Sequence, residues 1–569
     1  MNGSLQNNIS RSLSVLGSIC RYHFECRDCL NTNATKDIKN ESNEMSNLVA
    51  KCYALFQAML PFTVSAIKGS VCVWISNPQI LLKAEKDNLI KHLLRNADRE
   101  VQIHSLRGLL EVLTAEEWRQ NQRARNMAQD ETISLAKKVT GDQDAEASLV
   151  GSILTQHSSS VLEMTGSVYP AIRMAATSLV AELLSAGLMN PMEAIPYLFA
   201  LQGDVHNVGL RDLSKKVLIA EGERRPDTLK CRIPHGIRRA YDFQCTILRG
   251  QSLPIQNVTA IVINSGKDVG VRCIFQDIFS ECLGSSRSQR QGVYRSCLGI
   301  FADILGGSMH VLDALKDEAF VNSTSPKQCT QRTPKSSPNK KRRKSSVSSP
   351  KKKRRRSKNE MLKNEQSSSY LALCAFTAQM IAHLEYTEIS DPLYIVQMLL
   401  QPMIDSQGHA ILDALLKIIH GSDEYDDDEE DDVERLLGCK RVNNEDAQVL
   451  CKRLFADDMF ECLVQQGAAI VLLLRLKSFL KDLYGITETK IFSYRKDSTA
   501  FIKEKCSCSN RRLVFNHNLP LLTGSASACN THQVSSLKQY YEFRRLLRSE
   551  YGSEDIIHGM EAGDVVFDE

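Results

Sequence analysis

The sequence predicts an all-α protein built as an α-α superhelix, that is, a solenoid of paired helices. Apolar residues recur every three or four positions in several stretches, which is the period of an amphipathic helix. Examples are Leu89–Leu94, Leu106–Leu113 and Ile172–Leu183. Strand-like sequence is rare, and Thr259–Asn264 is its clearest example. Because one helix pair cannot bury its apolar face alone, the pairs of a 569-residue chain are expected to stack on one another.

Several predicted helices share one start signal, an Asn or Asp followed by proline. The first side chain accepts hydrogen bonds from the N–H groups of the first turn, and proline occupies a position where no N–H is needed. The signal occurs at Asn77-Pro78, Asn190-Pro191 and Asp391-Pro392. The short break at Leu188–Asn190 indicates that the helices on either side are antiparallel neighbours.

Two charged stretches interrupt the helical pattern. Residues 322–369 are rich in Ser, Pro, Lys and Arg and poor in large apolar residues, so we expect a disordered basic insert there. Residues 421–432 are expected to form an acidic loop, and Met1–Ser10 and Asn31–Ser46 are expected to be loose. The predicted division is a first solenoid part at 1–321, the insert at 322–369, a second solenoid part at 370–550 and a loose tail at 551–569.

The formal net charge of +4 conceals two opposite blocks. Lys327–Lys358 contains 15 Lys and Arg residues and no acid, so the rest of the chain carries −11. In the opposite block, Asp423–Asp432, every residue except Tyr425 is acidic. The net charge therefore does not describe the surface of the solenoid, and the two blocks have to be considered separately.

The basic block contains two dense clusters. They are Lys340, Lys341, Arg342, Arg343 and Lys344, followed by Lys351, Lys352, Lys353, Arg354, Arg355 and Arg356. A charge run is often only a solvated segment. Extended basic side chains, however, enter the acidic grooves of import receptors and neutralise DNA phosphates without sequence preference. We predict that the clusters direct nuclear import through an import receptor and that they contact DNA.

Two serines beside these clusters are candidate phosphorylation sites. Ser337 and Ser349 each precede a proline, and a lysine follows two residues after that proline. Sites of proline-directed cell-cycle kinases have this pattern. A phosphate on either serine adds nearly two negative charges beside the basic side chains. Phosphorylation is therefore expected to weaken both import and DNA contact.

No enzymatic signature is visible in the sequence. Ser265-Gly266-Lys267 lacks the upstream glycine of a phosphate-binding loop, and Asp268 stands where Ser or Thr would bind Mg²⁺. There is also no nucleophile elbow and no paired-carboxylate signature. We predict no catalytic residue and no cofactor.

A zinc site is the main alternative interpretation of the cysteines near the N-terminus. Cys20, His23, Cys26 and Cys29 have a spacing that suggests metal ligands, with Cys506 and Cys508 as further candidates. However, Leu13–Tyr22 has the pattern of an amphipathic helix, and no second Cys/His pair follows at finger-like distance. We therefore predict no metal, and expect the 18 cysteines to be reduced thiols.

No membrane segment is predicted. Met1–Arg11 is polar where a secretory signal would be apolar. The longest apolar run, Ala468–Leu474, is far shorter than the roughly 20 residues that span a bilayer. The sequence predicts a soluble protein.

Short motifs are spread along the chain in a fixed order. They are Leu16–Arg21, Ala171–Arg173, Gly187–Pro191, Ile195–Leu198, Gln289–Phe301, Tyr386–Ile411, Gln466–Ile491 and Lys538–Phe543. Together they resemble the C-terminal region of the Nipped-B family, the large subunits of cohesin loaders. In that resemblance Gln289–Phe301 is a basic helix, with Arg290 and Arg295 as its candidate basic positions.

The resemblance implies a hook-shaped HEAT-repeat solenoid that grips cohesin, through its ATPase heads and kleisin, together with double-stranded DNA. Such a protein stimulates ATP hydrolysis by cohesin without hydrolysing ATP itself. It thereby promotes loading onto chromatin, sister chromatid cohesion and loop formation in the nucleus. The arm that binds the loader's second subunit in this family has no counterpart here, so that partner is expected only if a longer form exists.

Two other functions remain open at this point. A generic nuclear helical-repeat scaffold or transport adaptor has the same helix pattern, although a cargo carrier does not ordinarily need a strong import signal of its own. A zinc-dependent nuclear factor built around Cys20–Cys29 is the second alternative. The metal content of the purified protein distinguishes this one from the others.

Overall fold

The computed structural model divides the chain into two compact units. Unit 1 is Met1–Ile255 with Asp277–Cys282, and unit 2 is Gln256–Gln276 with Leu283–Glu569. The boundary between these units lies near residue 255. The predicted division at 321 and 369 stays a prediction. The residues described are 3–30, 38–59, 64–129, 141–204, 207–252, 258–264, 270–282, 286–306, 370–420, 454, 458–494, 504–506, 512–523 and 529–551. The basic insert up to residue 369, the acidic loop and residues 552–569 lie outside them.

Unit 1 is helical throughout its described residues, apart from the turns that connect the helices. Its helices are α1 (Gly3–Leu30), α2 (Ile38–Met59), α3 (Val64–Ser76), α4 (Pro78–Lys86), α5 (Leu89–Leu94), α6 (Arg99–Gln129), α7 (Gly141–Gln156), α8 (Ser158–Met164), α9 (Pro170–Ser185), α10 (Pro191–Ala200), α11 (Val208–Arg224), α12 (Pro226–Gly250) and most of α13 (Gln276–Cys282). A 3-10 turn, Leu201–Gly203, follows α10.

Two segments expected to be loose are helical in their described residues, 3–10 and 38–46. α1 already begins at Gly3, and α2 begins at Ile38. The polar start of α1 is tied to α3, because the hydroxyl groups of Ser10 and Ser65 lie 2.5 Å apart. Leu13, one turn further on, is 4% exposed and anchors the helix. The expectation that Met1–Ser10 is loose was therefore wrong, since tertiary contacts outweigh the weak local signal.

The connection between α9 and α10 confirms the predicted helix break and helix start. Gly187 has a φ of +71°, a conformation that favours glycine. Its N–H and that of Leu188 donate to carbonyl groups of the last turn of α9. The Asn190 side chain then accepts from the N–H of Met192 at 3.0 Å and starts α10. Asn77 starts α4 in the same manner.

Helices α10 and α12 approach each other closely at a glycine. A Cβ atom on Gly236 would lie 2.7 Å from ring carbons of Phe199. Phe199 is completely buried, so its ring has no free space into which to move. Glycine at this position sets the distance between the two helices.

Replacing Gly236 with alanine is expected to lower the free energy of unfolding of unit 1 by about 1–3 kcal/mol, the usual cost of an overpacked core. Both tryptophans, Trp74 and Trp118, lie in unit 1, so their fluorescence during urea unfolding reports on this unit. Gly209→Ala is the matched control, because its nearest neighbour would lie 3.7 Å away. Equal midpoints for the two variants would contradict the close approach.

Unit 2 combines a small β-hairpin with long helices. Its described elements are β1 (Ile261–Asn264), β2 (Gly270–Cys273), α14 (Arg287–Leu298), α15 (Tyr370–Ala382), α16 (Ser390–Tyr394), a π-helical turn (Ile395–Leu400), α17 (Gln401–His420), α18 (Asp458–Tyr484), α19 (Glu488–Ser493), α20 (Pro520–Thr523) and α21 (Cys529–Tyr551). The strands are antiparallel, with Ile261 opposite Cys273. The strand predicted within Thr259–Asn264 is thus confirmed.

Helix α18 forms the centre of unit 2. By length and hydropathy alone its residues Met459–Tyr484 would be long and apolar enough to cross a membrane, but 72% of the apolar window is buried inside the structure. Phe460, Leu476 and Leu480 are completely buried. The helix packs against α17 and α21, as the core helix of a folded unit does.

Candidate binding groove

The two basic clusters and the two candidate phosphorylation sites lie outside the described residues, and so does Ser265-Gly266-Lys267. The structure therefore gives no geometry for Lys340–Lys344, Lys351–Arg356, Ser337 or Ser349. Their roles remain predictions from the sequence.

The two arginines of α14 have different environments. Arg290 is 9% exposed, and its guanidinium donates to the carboxylates of Asp391 at 2.8 Å and Glu388 at 2.6 Å. Burial disfavours its charge, but the two carboxylates outweigh this and raise the pKa of Arg290. Arg295 lies at the surface and donates to the Tyr394 hydroxyl at 2.7 Å. Arg290 is thus a core residue of unit 2, and only Arg295 presents its charge outwards.

The third predicted helix start, at Asp391-Pro392, was wrong, and the same ion pair explains why. Asp391 lies within α16, whose first residue is Ser390, and makes no cap. Its carboxylate is 1% exposed and is engaged by Arg290. Burial raises the pKa of Asp391, and the neighbouring guanidinium lowers it again in part.

The described part of the proposed zinc cluster consists of thiols. Cys20 is buried, and burial together with neighbouring Cys52 and Cys72 raises its pKa to about 12. Zinc binds the thiolate, so this thiol is poorly suited as a ligand. No group of three metal-ligating residues occurs among the described side chains. The side chains of His23, Cys26 and Cys29, and all of Cys508, lie outside them.

A groove on unit 1 collects charged side chains that the sequence analysis did not single out. It consists of two hollows, of about 350 and 390 Å³, that share Met192. We call it the basic groove, because four arginines and two carboxylates line it. Its lining residues are Ser159, Leu162, Met192, Glu193, Pro196, Tyr197, Arg232, His235, Arg238, Arg239 and Asp242 in one hollow, and Gly187, Leu188, Met189, Asn190, Pro191, Arg225 and Thr228 in the other.

Proline in the middle of α10 positions the first arginine of the groove. Pro196 has no N–H, so the carbonyl of Met192, four residues earlier, loses its partner within the helix. The guanidinium Nε–H of Arg232 on α12 donates to this carbonyl at 2.7 Å. The same contact satisfies the Met192 oxygen and holds Arg232 at the edge of the groove.

A second arginine is fixed by an aromatic ring. The Arg239 guanidinium lies 3.6 Å from the centre of the Tyr197 ring, within the range of a cation–π contact. Asp242, three residues further along α12, is a carboxylate of the same lining. Desolvation raises the pKa of Asp242, while Arg239, Arg238 and Arg249 oppose the rise. The groove thus contains both fixed cations and a carboxylate that they surround.

The base of this region is held by a buried ion pair. The Arg173 guanidinium donates to Asp204 at 2.6 Å and to the carbonyls of Ser167 and Val168 at 2.9 Å. Arg173 and Asp204 are 3% and 4% exposed, and the guanidinium lies 5.6 Å from the Phe243 ring of α12. The pair joins α9 to the segment after α10 and supports the helices that form the groove.

One signal in the sequence points to the basic groove. Arg232, His235 and Arg239 follow one another at spacings of three and four residues, which places them on one face of a helix. The contact of Arg232 with α10 has no such signal. It depends on Pro196, which is far from Arg232 in sequence and leaves the Met192 carbonyl without a helical partner.

The chain is similar to cohesin-loading proteins. Residues 150–401, which include the whole basic groove, match the family model described as Sister chromatid cohesion C-terminus. The chain is 23% identical over 308 residues to human Nipped-B-like protein, covering 53% of this chain and 10% of that protein. Zebrafish Nipped-B-like protein B is 23% identical over 319 residues, again about a tenth of its length.

A solved structure has a similar fold. The Chaetomium thermophilum cohesin loader SCC2, C-terminal fragment, superimposes with a TM-score of 0.50 and 10% sequence identity. The similarity covers 98% of this chain and 29% of the fragment. It confirms the all-α solenoid class predicted from the sequence. The chain thus spans a small part of the length of the proteins it matches.

Proposed function

We propose that this chain is a member of the Nipped-B family and a non-catalytic scaffold that binds cohesin and DNA and promotes the loading of cohesin onto chromatin. The observation that carries the proposal is the family match over residues 150–401, together with a fold similar to that of a cohesin loader. In this role the chain stimulates the cohesin ATPase without hydrolysing ATP itself. Its site of action is the nucleus.

The basic groove supports the cohesin part of this proposal. It lies entirely within the matched residues, and two of its four arginines, Arg232 and Arg239, are held in place by the Met192 carbonyl and the Tyr197 ring. Fixed cations lose little freedom when a partner binds, which favours recognition of an acidic surface. We propose that the groove is one of the surfaces through which the chain contacts cohesin.

Binding of purified cohesin from the same organism to the immobilised chain tests this part. We expect saturable binding that falls at least tenfold in an Arg238→Glu/Arg239→Glu variant. A Lys51→Glu/Lys216→Glu variant changes the net charge equally at two exposed residues of α2 and α11 outside the groove, and should bind like the wild type. Absence of binding by the wild-type chain would favour a scaffold of another nuclear assembly.

DNA contact is proposed for the basic insert. The 15 Lys and Arg residues of Lys327–Lys358 supply a dense positive charge with no acid among them. Binding through phosphate neutralisation falls steeply with salt and does not depend on base sequence. The same residues are the proposed import signal, so import receptor and DNA would compete for them.

Negative charge added beside the basic clusters is expected to weaken both DNA binding and nuclear import. We expect Ser337→Glu/Ser349→Glu to lower affinity for duplex DNA several-fold at low salt and to slow nuclear import, because each glutamate places a negative charge beside the basic side chains. DNA binding is measured by fluorescence anisotropy, and import by the nuclear fraction of a tagged chain. Ser337→Ala/Ser349→Ala is the control. Unchanged affinity and import in the glutamate variant would remove the proposed switch.

A further inference from the structure

The basic groove has a lining that differs from a plain anion-binding surface. Met192 and the Tyr197 ring are half-buried and contribute apolar surface above the buried Leu162 and Pro196. Arg232, Arg238 and Arg239 contribute positive charge. A ligand that matches both needs at least one apolar group and several negative charges. Met192 lines both hollows, so they are neighbours, and one extended ligand is long enough to contact both.

The length of the groove suits an extended chain. Arg225 and Arg239, which lie in the two hollows, are separated by fourteen residues of sequence along α12. At the rise of an α-helix this corresponds to about 21 Å. An extended polypeptide covers that distance with about six residues.

We infer that the basic groove binds an extended acidic segment of a partner protein, with one apolar side chain of the segment seated against Met192 and Tyr197. The inference rests on the proposed function and deepens it by naming the chemistry of the partner. At one end, carboxylates of the segment pair with Arg225, which also contacts Glu221 at 3.3 Å. At the other end they pair with Arg232 and Arg238. The Arg239 guanidinium, stacked on Tyr197, borders the apolar seat.

Two features favour a peptide over duplex DNA in this groove. Glu193 and Asp242 belong to the same lining, and carboxylates repel the evenly spaced phosphates of a duplex. A peptide with spaced acidic residues can avoid them. A phosphate backbone also has no group that fits the apolar seat. A leucine side chain does fit it, and its burial there favours binding.

Fluorescence anisotropy with a synthetic peptide tests the inference. The probe is a labelled peptide of alternating glutamate and serine with one central leucine. Comparison probes carry serine in place of the leucine, or glutamine in place of the glutamates, and a short labelled duplex DNA is titrated in parallel. The proteins are the full chain, its Arg238→Glu/Arg239→Glu variant and the Lys51→Glu/Lys216→Glu control, each checked for helical content by circular dichroism.

The inference predicts that the leucine-containing probe binds the full chain and the control variant alike. Affinity should fall about tenfold or more without the leucine, in accord with the burial of one apolar side chain. It should also fall at least tenfold in the Arg238→Glu/Arg239→Glu variant. Each of these outcomes is needed, since the first tests the apolar seat and the second tests the cations.

Three results would overturn it. These are no binding of the probe, equal binding with and without leucine, or loss of DNA binding but not of peptide binding in the Arg238→Glu/Arg239→Glu variant. The last result would assign the groove to DNA. None of these results bears on whether the chain binds intact cohesin, so failure of the peptide inference is distinguishable from failure of the proposed function.

Discussion

Replacing Asp204 with alanine is expected to lower the free energy of unfolding of unit 1 by about 3–5 kcal/mol, because removing one partner leaves a buried charge without compensation. Arg173 is 3% exposed, and Asp204 is the carboxylate that its guanidinium meets, at 2.6 Å. The two backbone carbonyls that also accept from Arg173 satisfy hydrogen bonds but not the positive charge. The substitution therefore destabilises the helices that support the basic groove.

Urea unfolding followed by tryptophan fluorescence measures this effect in unit 1, where both tryptophans lie. Asp212→Ala is the control, because Asp212 is exposed on α11. A double variant, Arg173→Met/Asp204→Leu, removes both charges and should recover most of the lost stability. If Asp204→Ala and Asp212→Ala unfolded at the same urea concentration, the ion pair would not hold this region.

Acidification is expected to destabilise unit 2 by roughly 3 kcal/mol through His383. His383 is 6% exposed, and its Nε2 atom accepts a hydrogen bond from the N–H of Phe515 at 3.1 Å. Burial, together with nearby His517, lowers the pKa of His383 from 6.5 to about 4. A proton on Nε2 would place two donors against each other, so the folded unit requires the neutral ring.

The sign follows from the direction of this shift. Between pH 6.5 and about 4 the unfolded chain binds a proton at His383 that the folded chain does not, so stability is full above this window and is lost as the pH falls through it. The pKa of His517 is also lowered, mainly by burial, and adds to the loss in the same direction.

Hydrogen exchange of the central helix α18, corrected for the intrinsic pH dependence of exchange, measures the opening of unit 2. We expect its protection to be constant from pH 8 to pH 7 and to fall by roughly a hundredfold towards pH 4, as the expected free-energy loss requires. His383→Gln should remove most of this slope, and His517→Gln a smaller part. A slope unchanged in His383→Gln would contradict the role of this histidine.

The fold follows from the sequence where local signals and packing agree. The apolar stripe Ile172–Leu183 is buried in α9, and the Asn77 and Asn190 side chains start α4 and α10. The third start signal fails at Asp391, because Arg290, which is far away in sequence, engages the carboxylate. A capping preference of about 1 kcal/mol does not prevail over a buried ion pair.

The candidate site was less accessible to sequence reasoning than the fold. The helical spacing of Arg232, His235 and Arg239 predicts a basic helix face, but not which helix it meets. Two partners found only in the structure, the Met192 carbonyl and the Tyr197 ring, convert that face into a groove. Arg290 is also a helix arginine, but it lies in the core. Tertiary contacts alone decide whether such an arginine is buried or lines a surface groove.

The proposed loader function is tested most directly by the DNA-dependent ATPase rate of cohesin from the same organism, measured with and without the purified chain. We expect clear stimulation of cohesin and no ATP hydrolysis by the chain alone. A cohesin rate that stays unchanged when folded, helical chain is added in excess would contradict it.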